Sequence, residues 1–479
     1  MRTVVIIGGG FTGAATAIHL ARSALTPLEI AVLEPRAEVG RGVAYSASDP
    51  DHRLNAPAAM HVLFPEDSFA FENWLGRTGG FEDDPEMEAL GGGFYPRRGV
   101  FGAFVNAQFS AHAKHNPSRS RIKHIRATAL DISPVGTQSN VHLACGSSIA
   151  ADLVVLTTSN EQPAIPHPFS SEDVARPHFI ANPWDLTALS NLDAGARLLI
   201  VGSGLTAADV IATALREKPQ TGITVLSRSG LRPASRADSP PTRDFPLWER
   251  LNAKPSLFEA RHGALRSVRA VLKALRADIA TFADNGQPWQ SAFDDLRDSV
   301  RGVWMALPAD EKRRFQRHLR RRYDSHRFRY PPHTHAKLKL AEAAGRLSFW
   351  RASIERVVAQ ERGFEVTWLD PESGCQHVDV FAGVVNCTGP ASRPENSTNL
   401  LLQRIVQAGT ARTSPIGVGI DVDHNCRVLN ANGEVQANLY AYGPLTYATF
   451  GYPQGSPFIV DQILRAMPMM LDVDASHAS

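Results

Sequence analysis

"VVIIGGGFTGAAT", residues 4–16, opens the chain, and "LLIVGSGLTAADV", residues 198–210, repeats its plan. Each is a short apolar run, then a glycine-rich turn, then the Ala-rich start of a helix. In the first copy residues 4–7 are β-branched throughout, as in a strand buried on both faces. Gly8, Gly10 and Gly13 follow in GxGxxG spacing, and helical sequence runs from about residue 14 to 23. "EIAVLEP" (29–35) supplies a second strand that reaches Glu34, 21 positions after Gly13. Each part has a mechanical reason. Gly8 permits the tight turn, Gly10 lets the backbone approach a pyrophosphate, and Gly13 lets the helix pack on the strand. The helix N-terminus offers free N–H groups to phosphate, and Glu34 can accept hydrogen bonds from a ribose diol. Strand, turn, helix, strand and acid in this order predict a dinucleotide site.

The second copy keeps Gly202 and Gly204 and has Ala207 at the third position. Its second strand, "ITVLSRSG" (223–230), places Ser227 where Glu34 stood, with Arg228 next. A carboxylate there would repel a 2′-phosphate, whereas a hydroxyl and a guanidinium would bind it. The second site is therefore expected to prefer NADPH to NADH. A flavin held at the first site and a nicotinamide at the second would form a hydride relay, provided the two domains face each other.

Composition sets the frame. The chain has 479 residues, 43% hydrophobic and 20% charged, enough for two or three domains with large cores. A net charge of +2 gives no global field for nucleic acid or an acidic membrane. No run of about 18 apolar residues occurs, so no membrane span is expected. Cys145, Cys375, Cys387 and Cys426 show no CxxC and no metal-like spacing, which fits a reducing, cytoplasmic setting. No metal site is expected.

At these two turns the sequence resembles the flavoproteins with two dinucleotide-binding domains. More narrowly, it is similar to the FAD/NAD(P)-binding oxidoreductases related to class B flavin monooxygenases and N-hydroxylases. Further segments carry the likeness: "GRGVAYS" (40–46), "HRLNAPAAM" (52–60), "YPRRGVFGAFV" (95–105), "DLVVLTTSN" (152–160), "GVVNCTGP" (383–390) and "NLYAYGPLT" (438–446). The resemblance implies an α/β fold of two Rossmann-like domains, one for FAD and one for NADPH. It also implies flavin-domain contacts from Arg41, Gly42, Asn55, Arg98, Gly389, Gly443 and Gln454. Two features depart from the pattern. The closing motif reads Gly443-Pro444 where relatives often carry Gly-Asp, and the class B fingerprint FxGxxxHxxxW is replaced by "PHFIANPWDL" (177–186).

The motif order predicts a discontinuous FAD domain over residues 1–165 and 350–479, and an NADPH domain over 190–245. A helical insertion is expected over 246–345. Pro-rich stretches at 163–168 and 239–246 read as joints. Within the insertion, Phe315, Leu319 and Tyr323 form an apolar stripe among many arginines. Arg320, Arg321, Arg322, Arg327 and Arg329 read either as a solvated or ion-paired face, or as cations directed into the interdomain cleft. A helix from about Pro457 is expected to direct its N-terminus at the flavin, with Gln454 and Ser456 as hydrogen-bonding groups. His61, Arg97, Arg98 and Tyr447 lie in segments expected near the flavin, and no catalytic residue is assigned.

By resemblance the expected activity is monooxygenation of a small molecule through a C4a-hydroperoxyflavin. O2 is the co-substrate, and a nucleophilic nitrogen, sulfur or carbon would take the oxygen, an amine being one such group; arginines facing the cleft would meet an anionic substrate. Flavin-dependent NAD(P)H oxidation without oxygen insertion, and a non-catalytic flavoprotein, remain open alternatives.

Overall fold

The computed structural model describes residues 1–472 except 90–91, 159–161, 194, 237–246, 391–392 and 452–453. The joint expected at 239–246 lies outside the described residues. Two parallel sheets organise the rest. The first has the strand order Arg427–Leu429, Val435–Ala441, Leu153–Leu156, Thr3–Ile7, Glu29–Leu33, Arg121–Ile125, parallel except for its first strand. The second, wholly parallel, runs Leu347–Arg351, Gly222–Ser227, Arg197–Val201, Gly383–Asn386, Phe179–Ile180. In each sheet the strand that leads into a glycine turn lies in the interior, and its residues past the first are buried on both faces. That is why these strands read as unbroken apolar runs rather than alternating ones.

Each turn leads into a 13-residue helix, Phe11–Ser23 and Leu205–Glu217. Gly10 and Gly204 occupy the two N-cap positions, and neither helix has a side-chain cap. The first N–H groups of both helices thus stay available to a ligand. Helix Phe11–Ser23 packs against Arg98–Lys114 and Ser456–Leu471.

The expected return to the first domain at residue 350 is corrected by strand pairing. Leu347–Arg351 and Gly383–Asn386 belong to the second sheet, and between them an antiparallel sheet (Ser353–Gln360, Gly363–Leu369, Gln376–Phe381) closes over that domain's core. The chain re-enters the first domain only after residue 386. Residues 347–369 form three strands, because Ala352 separates an edge strand of one sheet from the start of another.

The insertion is helical from Leu247–Asn252 to Arg320–Arg327. Its last expected part, Pro332–Ala343, is instead integral to the second domain, where Leu338 and Ala341 join the core beneath Leu205–Glu217. The apolar stripe of Phe315, Leu319 and Tyr323 packs on Trp304, Leu307 and Tyr447, which seats the insertion on the first domain. Among the described residues no helix is long and apolar enough to cross a membrane.

Candidate active site: two cradles that share a wall

The two glycine turns are built alike. Gly8 has φ +106° and Gly202 φ +108°, a backbone region that side chains rarely enter. A Cβ on Gly8 would stand 2.6 Å from the Thr157 carbonyl oxygen, and one on Gly202 2.3 Å from that of Cys387. Each turn is therefore pressed onto the end of the neighbouring strand. At the third position, a Cβ on Gly13 would meet the Gly8 carbonyl oxygen at 1.9 Å, whereas the second unit accommodates Ala207 in a buried position. A Cβ on Gly204 would meet nothing within 4 Å, so that side of the turn is open to an approaching ligand.

Glu34 is buried at the end of the second strand. Its Oε2 accepts from the Gly9 N–H (3.0 Å), and its Oε1 accepts from the Arg36 N–H (3.0 Å). The carboxylate is thus fixed at the edge of the first turn. Around it lies a cavity of about 580 Å³ lined by Gly8, Gly10, Glu34, Arg41, Gly42, Gly389 and Gln454, among others. Arg41 is held by Glu38 and by the Gly99 carbonyl oxygen (3.1 Å). Gly443 sits just behind: its N–H donates to Gln462 Oε1 (2.9 Å), and its neighbour Pro444 faces the cavity.

A larger cavity of about 1030 Å³ covers the second turn. Gly202, Gly204, Ser227 and Arg228 line it from the second domain, Asn55 and His61 from the first, and Arg321, Arg327 and Arg329 from the insertion. Arg321 lies near enough to Arg228 that, after burial, this like charge is what lowers its pKa. The arginine-rich stretch thus divides. Arg321, Arg327 and Arg329 face the cleft, while Arg320 stacks over Tyr447 at 5.4 Å. Arg329 is also ion-paired with Asp294 (3.1 Å).

Arg98, expected among the flavin contacts, faces the larger cavity instead. Both of its Nη atoms are engaged by Asp209, at 2.7 and 3.1 Å, and its Nε–H donates to the Arg53 carbonyl oxygen. The reason is Asp209 itself: a carboxylate buried on helix Leu205–Glu217 needs a counter-ion, and Arg98 is the cation across the domain boundary.

The two cavities have eight lining residues in common: Ala44, Tyr45, Trp184, Thr206, Cys387, Gly389, Pro390 and Gln454. Residues 5–161 match the family model of FAD-NAD(P)-binding domains. Three solved structures superpose over nearly the whole chain. The reduced form of ornithine hydroxylase from Pseudomonas aeruginosa is 16% identical, covers 99% of each chain and gives a TM-score of 0.60. The ornithine N-hydroxylase of Kutzneria sp. 744, solved with reduced FAD, NADP+ and L-ornithine, is 15% identical over 99% of each chain, TM-score 0.63. L-Lysine 6-monooxygenase from Pseudomonas syringae is 17% identical over 99% of this chain and 100% of that one, TM-score 0.59. The chain shares the two-domain dinucleotide-binding fold of these structures. No curated protein matches it in sequence.

Within this fold Tyr45, Trp184 and Thr158 line the cavities with no role assigned to them from the sequence, unlike Ser456. Tyr45 faces both cavities, and burial pushes its hydroxyl up to about 12. Trp184 also faces both, with the Arg98 guanidinium 5.8 Å from its ring. Thr158 Oγ1 in the smaller cavity and Ser456 Oγ in the larger are buried without a hydrogen-bond partner among the described residues. Such groups are costly unless a ligand satisfies them. Ser456 starts the 16-residue helix Ser456–Leu471, one residue earlier than expected.

Proposed function

We propose that the protein is an FAD-dependent, NADPH-using monooxygenase that hydroxylates an amine nitrogen of a small molecule. The observation that carries this reading is the common wall of the two cavities. FAD seated at the first turn and NADPH at the second would meet at that wall. The residues present fit both groups: uncapped helix N-termini for the pyrophosphates, Glu34 for the FAD ribose, and Ser227 with Arg228 and Arg321 for a 2′-phosphate. Arg41, Gly42, Gly389 and Gln454 would flank FAD, the unpartnered Thr158 hydroxyl would find a partner in the smaller cavity, and that of Ser456 would find one in the larger. Gly443 would support the wall from behind, while Asn55 would serve the substrate side.

The chemistry supplied at this wall by bound FAD would be the transfer of two electrons from NADPH to O2, with one oxygen going to the substrate and the other leaving as water. What this chain supplies is position and dryness. Tyr45 and Trp184 line both cavities; Phe11 and Phe101 pack on Tyr45, and His61 packs on Phe101, which would help keep water out. Four free cysteines suit the same reading in a cytoplasmic, reducing compartment.

The test is direct. Purified protein is loaded with FAD, reduced by NADPH without O2, then given O2 with and without candidate amines. Bleaching by NADPH and a hydroxylamine product are expected. Bleaching followed by quantitative peroxide release with every amine would identify an oxidase. Protein that stays colourless in FAD would overturn the reading.

A further inference from the structure

The wall of the larger cavity holds several guanidinium groups deep in the protein, and their charge balance is uneven. Arg98 is paired with Asp209 at 2.7 Å. Arg297 is paired with Asp298 at 2.6 Å and Asp294 at 2.9 Å, and Arg329 with Asp294 at 3.1 Å. Arg236 differs. Its Nε–H donates to the Asn55 carbonyl oxygen at 2.9 Å, and no carboxylate among the described residues lies in ion-pair contact with it. Its two Nη groups have no acceptor among those residues, and the side chain keeps part of its surface open to the cavity.

The position is fixed rather than incidental. Ser235 bridges to Tyr330, and the backbone of Ala234 exchanges hydrogen bonds with Ser325 (2.7 Å) and Tyr330 (3.0 Å). These contacts hold Arg236 between the insertion and the flavin-domain loop that carries Asn55 and His61. Burial lowers its pKa, with Tyr95 and Asp294 opposing that shift. Such a site conserves its charge only at a cost that an incoming anion removes.

The geometry points to Arg236 as the residue that fixes substrate specificity: its free Nη pair receives a carboxylate of the substrate, with the Asn55 side chain and His61 imidazole beside it. This rests on the monooxygenase reading. A carboxylate suits the site better than a phosphate for two reasons. The two Nη donors form a planar fork that matches two coplanar oxygens. One uncompensated cation also balances one negative charge, whereas the neighbouring Arg228 and Arg321 together suit a dianionic phosphate. The Nδ1–H of His61 donates to the Pro57 carbonyl oxygen (3.0 Å), so its Nε2 is left as an acceptor for a substrate N–H.

The test compares wild type with Arg236→Met and Arg236→Lys. FAD content and anaerobic bleaching by NADPH are measured first, without any substrate. Failure there in wild type sinks the monooxygenase reading and says nothing about Arg236. Dissociation constants then come from perturbation of the flavin spectrum. The probes are the common α-amino acids and ornithine, each against its decarboxylated amine, with inorganic phosphate and NADP+ as separate arms. The expected result is a wild-type preference for one or more carboxylate-bearing probes. Arg236→Met should weaken that binding at least tenfold, and Arg236→Lys should restore part of it. FAD content and NADP+ binding should stay unchanged in both variants. No carboxylate preference in wild type, equal binding in Arg236→Met, or a loss confined to NADP+ or phosphate would each overturn the assignment.

Discussion

Ser227 and Arg228 occupy, at the second turn, the place that Glu34 holds at the first, and this exchange was readable from spacing alone because it lies within one strand of each glycine motif. It yields a sharp expectation. Arg228→Glu replaces a cation with a repelling anion, so the KM for NADPH should rise about 10- to 100-fold, the value of one or two charge-assisted hydrogen bonds. The KM for NADH should move less than about twofold in steady-state assays, and equal effects would remove the proposed role. His61 supports a second expectation. Burial first, and the Arg236 and Arg98 guanidiniums after it, hold its pKa down to about 4, against the opposing pull of the Pro57 carbonyl. Below about 6.5 the unfolded chain binds a proton that the folded one refuses until about 4. The stability contribution is therefore complete above pH 6.5 and is lost as pH falls towards 4, by up to about 3 kcal/mol. His19, also lowered to about 4 by burial, acts in the same direction. Asp461, raised to about 6 by burial, acts in the opposite direction from 3.8 upwards. Urea midpoints should fall between pH 7 and pH 5, with a shallower fall in His61→Gln; an identical fall would discount the histidine. Arg236, by contrast, was not legible beforehand. Its acceptor lies on Asn55, 181 positions away, and only folding brings the two together.

At the scale of elements, the glycine turns and their helices were the most legible features, because one residue type satisfies each steric demand. The same demand makes the two turns separately testable. Gly8→Ala would place a methyl group 2.6 Å from a backbone oxygen in an unfavourable φ region, so the purified protein should be colourless. Gly202→Ala would do the same at 2.3 Å, yet should leave FAD content intact while weakening NADPH binding at least tenfold. Isothermal titration and flavin absorbance separate these outcomes; loss of FAD in Gly202→Ala would mean that the two turns are not independent. Sheet membership was less legible. Leu347–Arg351 and Gly383–Asn386 are short apolar runs that either sheet could have received. Which one receives them is set by long-range pairing with Gly222–Ser227 and Arg197–Val201, not by local composition. For the same reason the boundary expected at residue 350 moved to beyond 386.

At the scale of the whole molecule, a set of ion pairs ties helix Leu205–Glu217 to the first domain. Arg98 meets Asp209, and Arg216 meets Asp49 and Asp51 at 2.6 and 2.9 Å. Lys337 also reaches Asp51, while the Thr213 hydroxyl donates to Asp49 (2.8 Å) and accepts from His52 (3.0 Å). Removing one member of the buried pair strands the other, so Asp209→Ala should cost about 3–5 kcal/mol in urea unfolding, and Arg98→Met/Asp209→Leu should recover most of it. A cost below about 1 kcal/mol in the single variant would show that the pair does not hold the domains. Away from these ties the chain crosses between domains twice, and the two crossings lie against each other. Pro163 bridges to Pro390, and the Asn386 amide donates to the Ala164 carbonyl oxygen at 3.0 Å. One crossing begins just past Thr157 and the other just past Cys387, the two residues whose carbonyls brace the glycine turns. Among the described residues the connection is thus a two-ply strap braced against both glycine turns. Any swing of one lobe would pull on both anchor points together, so the grip on flavin and the grip on nicotinamide would tighten or slacken in step.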